Sequence, residues 1–245
     1  MSPARRQAGD AHPRAAPTVE HDIADLGAVA PADVAAVVLL CASGIPDAQE
    51  DGFPAILQAA VERLGLRAPP AVRREPYGRP YLAHPDGSRW DVDFNISHSG
   101  DLVGVAVGVG GRVGLDVQQA PRPGWERIAR RWLHPDERRR IDALPPAGAR
   151  REFTRVWAVR EARCKATGRG LAGFRSSGAV EDAAFGQLDG VTWRELPVPD
   201  GYAGALAWVG ASGQDWLTRP VVVARTSSVP AMRRGTTFQE SRCTR

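Results

Sequence analysis

The chain has 245 residues, of which 43% are hydrophobic and 24% charged, and its formal net charge is +4. These are ordinary values for a globular protein with a core of its own, and no apolar run approaches the roughly 18 residues that a membrane-spanning helix needs. The three cysteines lie far apart and match no zinc spacing, so the composition predicts neither a disulfide framework nor a zinc site and indicates a reduced, cytoplasmic protein.

The first third of the chain is predicted to contain a disordered leader, a strand and a helix. Residues 1–33 are rich in Ala, Pro and Arg and have no hydrophobic period, a composition typical of disorder. Residues 34–41 are a short apolar run that predicts a buried strand. Residues 53–64 place apolar side chains at helical spacing, and Gly65 is the stop signal of this helix.

A β-hairpin is predicted in the middle of the chain, after a further strand at residues 90–96. Residues 102–109 are rich in Val, a glycine-rich turn follows, and residues 112–118 alternate in polarity. Because successive side chains of a strand point to opposite faces, Asp116 and Gln118 share the face opposite to the apolar one.

Asp116 is unusual at this position, because aspartate is depleted in strands. It either ends the strand and caps the turn that follows, or it serves as a metal ligand. A hard cation such as Mg²⁺ prefers carboxylate oxygen and keeps several waters, so the second interpretation predicts a magnesium ion. Gly114, two residues earlier on the same face, would leave room for close approach.

The rest of the chain predicts three helices, followed by three strands of a second sheet. The helices are expected at residues 125–132, from residue 134 onward and at residues 149–167. The strands are expected at residues 193–196, 202–209 and 220–224. Residues 226–245 are rich in Ser, Thr and Arg and indicate a flexible tail. The order of elements therefore indicates two α+β halves, residues 34–118 and 119–225.

The long helix predicted at residues 149–167 carries Trp157, Glu161 and Lys165 on one face. Glu161 and Lys165 fit two interpretations, an exposed ion pair worth about a few tenths of a kcal/mol or part of a functional site. Lys165 is the only lysine among 32 basic residues, which suggests a position that needs a compact ammonium rather than a planar guanidinium. The glycine-rich turn that follows, residues 167–171, suits close approach by a phosphate-bearing ligand.

The polar segment FNISHSG, residues 94–100, contains the adjacent pair Ser97 and His98. The pair is a weak candidate for nucleophilic catalysis, because adjacent residues rarely aim at one another and no acidic orienter is evident. Anion binding fits better, since a hydroxyl, an imidazole and backbone N–H groups before a glycine all donate to phosphate. A polar turn without function is the remaining interpretation.

Four segments together resemble the 4′-phosphopantetheinyl transferases of the surfactin-synthetase-activating (Sfp) type. In order, they are GRP at residues 78–80, FNISHS at 94–99, GLDV at 114–117, and WAVREARCK at 157–165 with GRGL at 168–171. The family patterns are G-[KR]-P, F-N-x-S-H-S, G-[IVL]-D-[IV], and W-x-x-K-E-A-x-x-K followed by G-x-G-L. Order and spacing agree, and the only Asn and the only Lys of the chain each fall inside a motif.

The resemblance implies an α+β fold of two similar halves, related by a pseudo-twofold axis, with a ligand cleft between them. It implies an enzyme that moves the 4′-phosphopantetheine arm of coenzyme A onto a serine of an apo acyl or peptidyl carrier protein. The reaction would release 3′,5′-ADP and depend on Mg²⁺. The family is usually monomeric, and neither nucleic acid nor a membrane is an expected partner.

The motifs also imply roles for individual residues. Asp116 and Glu161 would be Mg²⁺ ligands and catalytic, with Gln118 as a third candidate ligand, and Glu161 would also be the base for the carrier serine. Lys165 would lie near the phosphates and stabilise the departing 3′,5′-ADP. The other phosphate contacts would be Arg79, Ser97, His98 and Arg160.

The chain departs from the family pattern in three places. Gln118 replaces a Glu that many relatives carry, so that an amide oxygen or a water would complete the metal site. Arg160 replaces the usual Lys and keeps its charge. The region before Gly78 is short and lacks the basic helix that usually helps to hold the 3′-phosphate, for which Arg73 or Arg74 would be a substitute.

Two other functions fit parts of the sequence. The net charge and the arginines between residues 127 and 151 would suit a nucleic-acid-binding protein, but the chain has no recognised motif of that class. The second alternative is a degenerate relative that binds coenzyme A without transferring the arm. Gln118, in place of an acidic residue, and the short N-terminal half are the features that suggest it. The same arginines would instead suit the acidic docking helix of a carrier protein.

Overall fold

A computed structural model of the chain describes nine ranges of residues and residue 174. The ranges are residues 18–22, 35–42, 53–66, 71–75, 78–84, 86–121, 123–170, 178–210 and 220–226. Within them, no helix has both the length and the hydropathy that crossing a membrane requires.

The described residues form eleven strands and four helices. The first part of the chain contains β1 (Thr18–Asp22), β2 (Ala36–Ala42), α1 (Phe53–Arg63), β3 (Ala71–Arg74), β4 (Pro80–Ala83), β5 (Val92–Ser99) and β6 (Leu102–Val109). The second part contains β7 (Arg112–Gln119), α2 (Trp125–Trp132), α3 (Pro135–Asp142), α4 (Pro146–Thr167), β8 (Phe185–Leu188), β9 (Val191–Leu196), β10 (Tyr202–Val209) and β11 (Val221–Thr226).

The strands form two main sheets, each covered by a helix on one face. The first sheet has the order β1-β11-β2-β6-β5, the second has the order β7-β10-β9-β8, and β3 pairs with β4. α1 packs on the first sheet and α4 on the second, while the remaining faces pack against each other through residues such as Leu40, Leu115 and Leu206. The architecture is therefore helix–sheet–sheet–helix, and the predicted α+β class is confirmed.

The apolar run of β2 follows from this layering. Val37 and Leu39 point into the core beneath α1, whereas Val38 and Leu40 point into the core between the sheets. A strand that is buried on both faces reads as a continuous hydrophobic run rather than as an alternating one. The predicted strand at residues 34–41 is thereby confirmed, as is the helix that follows as α1.

The predicted hairpin is wrong, because β6 and β7 belong to different sheets. β6 pairs with β2 on one side and with β5 on the other, so it has no free edge for β7. β7 pairs antiparallel with β10 instead. The chain crosses between the layers at Gly111, where a Cβ would lie only 2.4 Å from the ring of Trp208.

Two strands from distant parts of the chain extend the first sheet. β11 lies between β1 and β2 and runs parallel to both. We predicted this strand in the second sheet; it lies in the first, where it pairs with β1 and β2 and residues 221–224 are buried. The prediction of a disordered leader is wrong for Thr18–Asp22, whose backbone pairs with β11. The rest of that leader, and residues 227–245 of the predicted tail, lie outside the described residues.

The two sheets repeat one order of elements. In the first, β2, α1, β5 and β6 occur in this order along the chain, with β3 and β4 between α1 and β5, and the strands are neighbours in the order β2-β6-β5. In the second, β7, α4, β9 and β10 occur in this order, with α2, α3 and β8 between them, and the strands are neighbours in the order β7-β10-β9. All four of these neighbouring pairs are antiparallel.

Candidate active site

The two sheets meet where side chains of β5 pair with the backbone of β7. Four polar residues at every second position of β5, which we call the polar ladder, each accept a hydrogen bond from a backbone N–H of β7. The pairs are Asp93 with Val113 (2.9 Å), Asn95 with Leu115 (2.9 Å), Ser97 with Val117 (3.1 Å) and Ser99 with Gln119 (2.9 Å). Because β7 is an edge strand, these contacts satisfy N–H groups that would otherwise lack a strand partner.

Gly114 allows α4 to lie directly against β7. A Cβ at this position would lie 2.0 Å from the carbonyl oxygen of Ala162 and 2.4 Å from the backbone nitrogen of Ala166. The room that we predicted beside Asp116 is therefore occupied by the backbone of the helix. This contact brings Glu161 and Lys165 of α4 to the strand that carries Asp116.

Asp116 is buried, with 5% of its surface exposed. Its Oδ1 atom accepts hydrogen bonds from Ser97 Oγ (2.8 Å) and from Lys165 Nζ (2.7 Å), whereas Oδ2 has no hydrogen-bond partner in the described part of the chain. Burial raises the pKa of the Asp116 carboxyl above its ordinary value, and this effect outweighs the lowering by Lys165, Ser97 and His98.

Lys165 joins three elements through its ammonium group. Nζ donates to Asp116 Oδ1, to Ser97 Oγ (3.1 Å) and to the carbonyl oxygen of Leu115 (2.9 Å). An ammonium has three donors, so each proton has an acceptor within the protein. The side chain remains 28% exposed, which leaves one side of the charge open to a ligand.

Glu161 lies half-buried beside this group. Burial and the neighbouring negative charge of Asp116 both raise the pKa of the Glu161 carboxyl, and Lys165 opposes them. Two carboxylates thus lie within electrostatic reach of one lysine in a partly desolvated place, so a further positive charge is favoured there.

The donor set of the site fits a hard cation. Asp116 Oδ2 is a buried oxygen without a partner, Glu161 is a second carboxylate, and the Gln118 amide follows Asp116 by two residues on the same face of β7. Oxygen ligands from one or two carboxylates, completed by waters, are typical of Mg²⁺ sites. Among the described residues, no group of three or more His, Cys, Asp or Glu side chains is placed to hold a metal.

Arg79 lies in the protein interior rather than at the open side of the site. Its guanidinium forms an ion pair with Asp93 and donates to the carbonyl oxygens of Lys165 and Val113. It therefore ties the end of α4 to β5 and β7. This placement differs from the predicted phosphate contact, because a phosphate would have to displace Asp93.

Arg160 is likewise part of the core, with 1% of its side chain exposed. It pairs with Glu137, which is fully buried, and donates to the carbonyl oxygens of Phe174 (2.7 Å) and Gly178 (3.0 Å). Glu137 also accepts from the backbone nitrogens of His134 and Val180. The predicted phosphate contact of Arg160 is incompatible with this burial, whereas His98 at the end of β5 is exposed.

We expect Glu137→Gln to lower the free energy of unfolding by about 3 kcal/mol, because it leaves the buried Arg160 charge without a counter-ion. Urea denaturation followed by circular dichroism measures the change. Asp136→Asn in the same helix is the control, since its pair with Arg139 is largely exposed and contributes less than about 1 kcal/mol. Equal losses in the two variants would contradict a structural role for the Glu137–Arg160 pair.

Sequence reasoning missed three residues that hold the site together. Asp93 and Asn95 belong to the polar ladder, and the alternation of apolar and polar residues along β5 was the available signal. Glu137 lies three residues after the cap of α3, the spacing of a capping box. That spacing indicates a helix start but not the pairing with Arg160.

Comparisons with known proteins agree with one another. A sequence model of the 4′-phosphopantetheinyl transferase superfamily matches residues 112–187, which include Asp116, Glu161 and Lys165. The chain is 35% identical over 96 residues to the 4′-phosphopantetheinyl transferase of Bacillus subtilis, a match that covers 39% of this chain and 40% of that protein. It is 36% identical over 80 residues to the 4′-phosphopantetheinyl transferase HetI of Nostoc, covering 32% of this chain and 34% of that protein.

A longer match links the chain to the 4′-phosphopantetheinyl transferase AcpT of Escherichia coli O157:H7. The two are 31% identical over 141 residues, which covers 48% of this chain and 71% of AcpT. The chain thus spans most of AcpT but less than half of the Bacillus and Nostoc relatives.

Proposed function

Because the chain belongs to the 4′-phosphopantetheinyl transferase superfamily, we propose that it transfers the 4′-phosphopantetheine arm of coenzyme A to a serine of an apo acyl or peptidyl carrier protein. The products would be the holo carrier protein and 3′,5′-ADP. The observation that carries this proposal is the convergence of Asp116 and Glu161, from β7 and α4, inside the segment that matches the superfamily.

The proposal includes a Mg²⁺ ion held by Asp116 and Glu161, with Gln118 as the third candidate ligand. When bound, the ion would neutralise charge on the pyrophosphate of coenzyme A and polarise the phosphorus under attack. The buried, unbonded Oδ2 of Asp116 and the raised pKa of both carboxyls support this assignment, because a cation would relieve the repulsion between them.

Glu161 is the candidate base, since it is only half-buried and its carboxylate could accept the proton of the serine directly or through a water. It would take the proton of the carrier serine hydroxyl. The serine oxygen would then form a bond to the phosphorus that carries the pantetheine arm, and the bond from that phosphorus to 3′,5′-ADP would break. Lys165 would stabilise the charge that develops on the departing group.

The phosphate contacts are assigned to the exposed groups at this end of the site. His98 is exposed and Lys165 keeps 28% of its side chain exposed, whereas Arg79, Ser97 and Arg160 are each less than 10% exposed. The common order of elements in the two sheets supports a pseudo-twofold relation, and the site at the junction of β5, β7 and α4 supports a ligand cleft between the halves. We also propose a cytoplasmic monomer that acts without nucleic acid or membrane.

Incubation of the protein with a fluorescent coenzyme A, Mg²⁺ and an apo carrier protein tests the function. Label that stays on the carrier after denaturing electrophoresis is the expected result. Label that binds the protein but never reaches a carrier would instead identify a relative that binds coenzyme A without transfer.

The carrier protein is proposed to dock at the arginines of α2 and α3. A cleft of about 450 Å³ between these helices is lined by three arginines, Arg130, Arg138 and Arg139, and by two acids, Glu126 and Asp142. Ile128, on α2, is 42% exposed. The excess of positive charge at this cleft would complement an acidic helix and speed its encounter.

We expect the double change Arg138→Glu and Arg139→Glu to raise the KM for the carrier by about 10-fold, as rim charges act mainly on association, and to leave the KM for coenzyme A unchanged. Steady-state kinetics with each substrate varied in turn measure both values. Arg151→Glu, an exposed arginine of α4 outside this cleft, is the matched control. An unchanged KM for the carrier would remove the docking proposal.

A further inference from the structure

Ser97 differs from the other residues of the polar ladder in what its side chain does beyond β7. Like its neighbours, it accepts a hydrogen bond from a β7 backbone nitrogen, that of Val117. Unlike Ser99, it also donates to Asp116 Oδ1 at 2.8 Å and accepts from Lys165 Nζ at 3.1 Å. Ser97 is therefore the residue of the ladder that touches two of the groups in the candidate site.

The hydrogen-bonding capacity of a hydroxyl explains why a serine serves at this point. A hydroxyl has one donor and two acceptor lone pairs, and here all three are used. An ionised carboxylate at the same place could accept but not donate, and it would repel Asp116. Because Ser97 is 5% exposed, water does not readily replace any of the three bonds.

The two carboxylate oxygens of Asp116 differ in their hydrogen bonding. Oδ1 accepts hydrogen bonds from Ser97 Oγ and Lys165 Nζ, and these bonds fix the rotation of the carboxylate about the Cβ–Cγ bond. Oδ2 is left buried and without a partner in the described structure. The position of the hydroxyl is in turn set by the backbone of Val117, the residue that follows Asp116 on β7.

We infer that Ser97 is a positioning residue that holds the Asp116 carboxylate so that Oδ2 alone faces the divalent cation of the proposed transferase. This inference rests on the proposed function. It replaces the phosphate contact predicted for Ser97 from the sequence, because a hydroxyl with three bonds inside the protein has no capacity left for a phosphate. Residues that orient a metal ligand typically change metal affinity or activity by about 10- to 100-fold when removed.

The test compares Ser97→Ala with Ser99→Ala in the full chain. Both variants lose one hydrogen bond from the polar ladder to β7, but only Ser97→Ala also loses the hydrogen bonds with Asp116 and Lys165. The affinity for Mn²⁺ is measured in the presence of coenzyme A and without a carrier protein, so that no turnover occurs. The electron paramagnetic resonance signal of the free ion gives the fraction of Mn²⁺ that is bound. We expect Ser97→Ala to weaken Mn²⁺ binding by about 10- to 100-fold, whereas Ser99→Ala and the conservative Ser97→Thr bind as the wild type does.

The outcomes separate this inference from the proposed function. If the wild type binds Mn²⁺ and labels a carrier but Ser97→Ala binds Mn²⁺ as tightly as Ser99→Ala does, the positioning role is overturned and the function stands. If the wild type labels a carrier but binds no Mn²⁺, the inference and the proposed cation site fall while the transfer activity stands; if no carrier is labelled, the proposed function falls. Should Ser97→Ala fail to fold, Ser97→Cys takes its place, because a thiol is a weak donor of similar shape. Equal Mn²⁺ affinity in Ser97→Cys and Ser97→Thr would then overturn the inference.

Discussion

Replacing either Asp116 or Glu161 by alanine is expected to lower phosphopantetheine transfer by about 1,000-fold, the upper range for losing one electrostatic contact at a reaction centre. Each carboxylate supplies negative charge to the same partly buried place, and Asp116 Oδ2 has no hydrogen-bond partner within the described structure. Removing one acid therefore removes a cation ligand and, for Glu161, also the base.

The fold should survive both changes, as the direction of the pKa shifts shows. The pKa of each carboxyl is raised on folding, so the folded state holds the proton more tightly than the unfolded state does. Stability from these groups is therefore present at low pH and is lost as pH rises through the raised pKa. At neutral pH the ionised, desolvated carboxylates disfavour the apo fold, and in Asp116→Ala this relief offsets part of the cost of losing the ion pair with Lys165.

The loss of transfer is measured as the rate of 3′,5′-ADP release at saturating Mg²⁺ and coenzyme A, with the product quantified by chromatography. Asp91→Ala, which removes an exposed acid before β5, is the control and should keep wild-type turnover. Wild-type turnover in Asp116→Ala or Glu161→Ala would end the assignment of that residue.

Gly114→Ala is expected to lower the free energy of unfolding by more than about 4 kcal/mol, a loss found only where a substitution breaks a major structural contact. The added Cβ would lie 2.0 Å from the Ala162 carbonyl oxygen and 2.4 Å from the Ala166 nitrogen. Both are backbone atoms of α4, so the clash cannot be relieved by turning a side chain. α4 would have to move away from β7, which would also separate Glu161 from Asp116.

Gly148→Ala is the matched control for this change. Gly148 lies in the first turn of the same helix, and a Cβ there would meet the Leu144 Cβ at an ordinary 3.5 Å. Because alanine favours the helix over glycine by about 0.5–1 kcal/mol, this variant should be as stable as the wild type or more stable. Urea denaturation of both variants decides the point, and a Gly114→Ala protein with wild-type stability would show that α4 does not pack on β7 in this way.

Local patterns predicted most helices and strands, because they depend on the spacing of apolar residues. The continuous apolar run of β2, the alternation in β7 and the capping signals of α3 each have a local physical cause. The sheet to which a strand belongs has no such local cause. β6 and β7 are separated by two residues yet enter different sheets. β6 already has a partner on each side, in β5, which directly precedes it, and in β2, which lies much earlier in the chain.

The candidate site was predictable to a similar extent. The motifs named Asp116, Glu161 and Lys165, and the structure brings them together. The motif positions Arg79 and Arg160 turned out to be paired with Asp93 and Glu137 in the interior. A motif records which residue types recur, whereas the partner of a charged side chain depends on the tertiary packing around it.

The most direct test of the central claim is the intact mass of an apo carrier protein after incubation with this protein, coenzyme A and Mg²⁺. Fatty-acid, polyketide and nonribosomal-peptide carriers should each be offered, with and without a chelator. We predict that at least one carrier gains the mass of a phosphopantetheine group on its serine, and that chelation or Glu161→Ala prevents the gain. A carrier modified equally well after chelation, or an unchanged mass for every carrier, would contradict a reaction driven by a cation between Asp116 and Glu161.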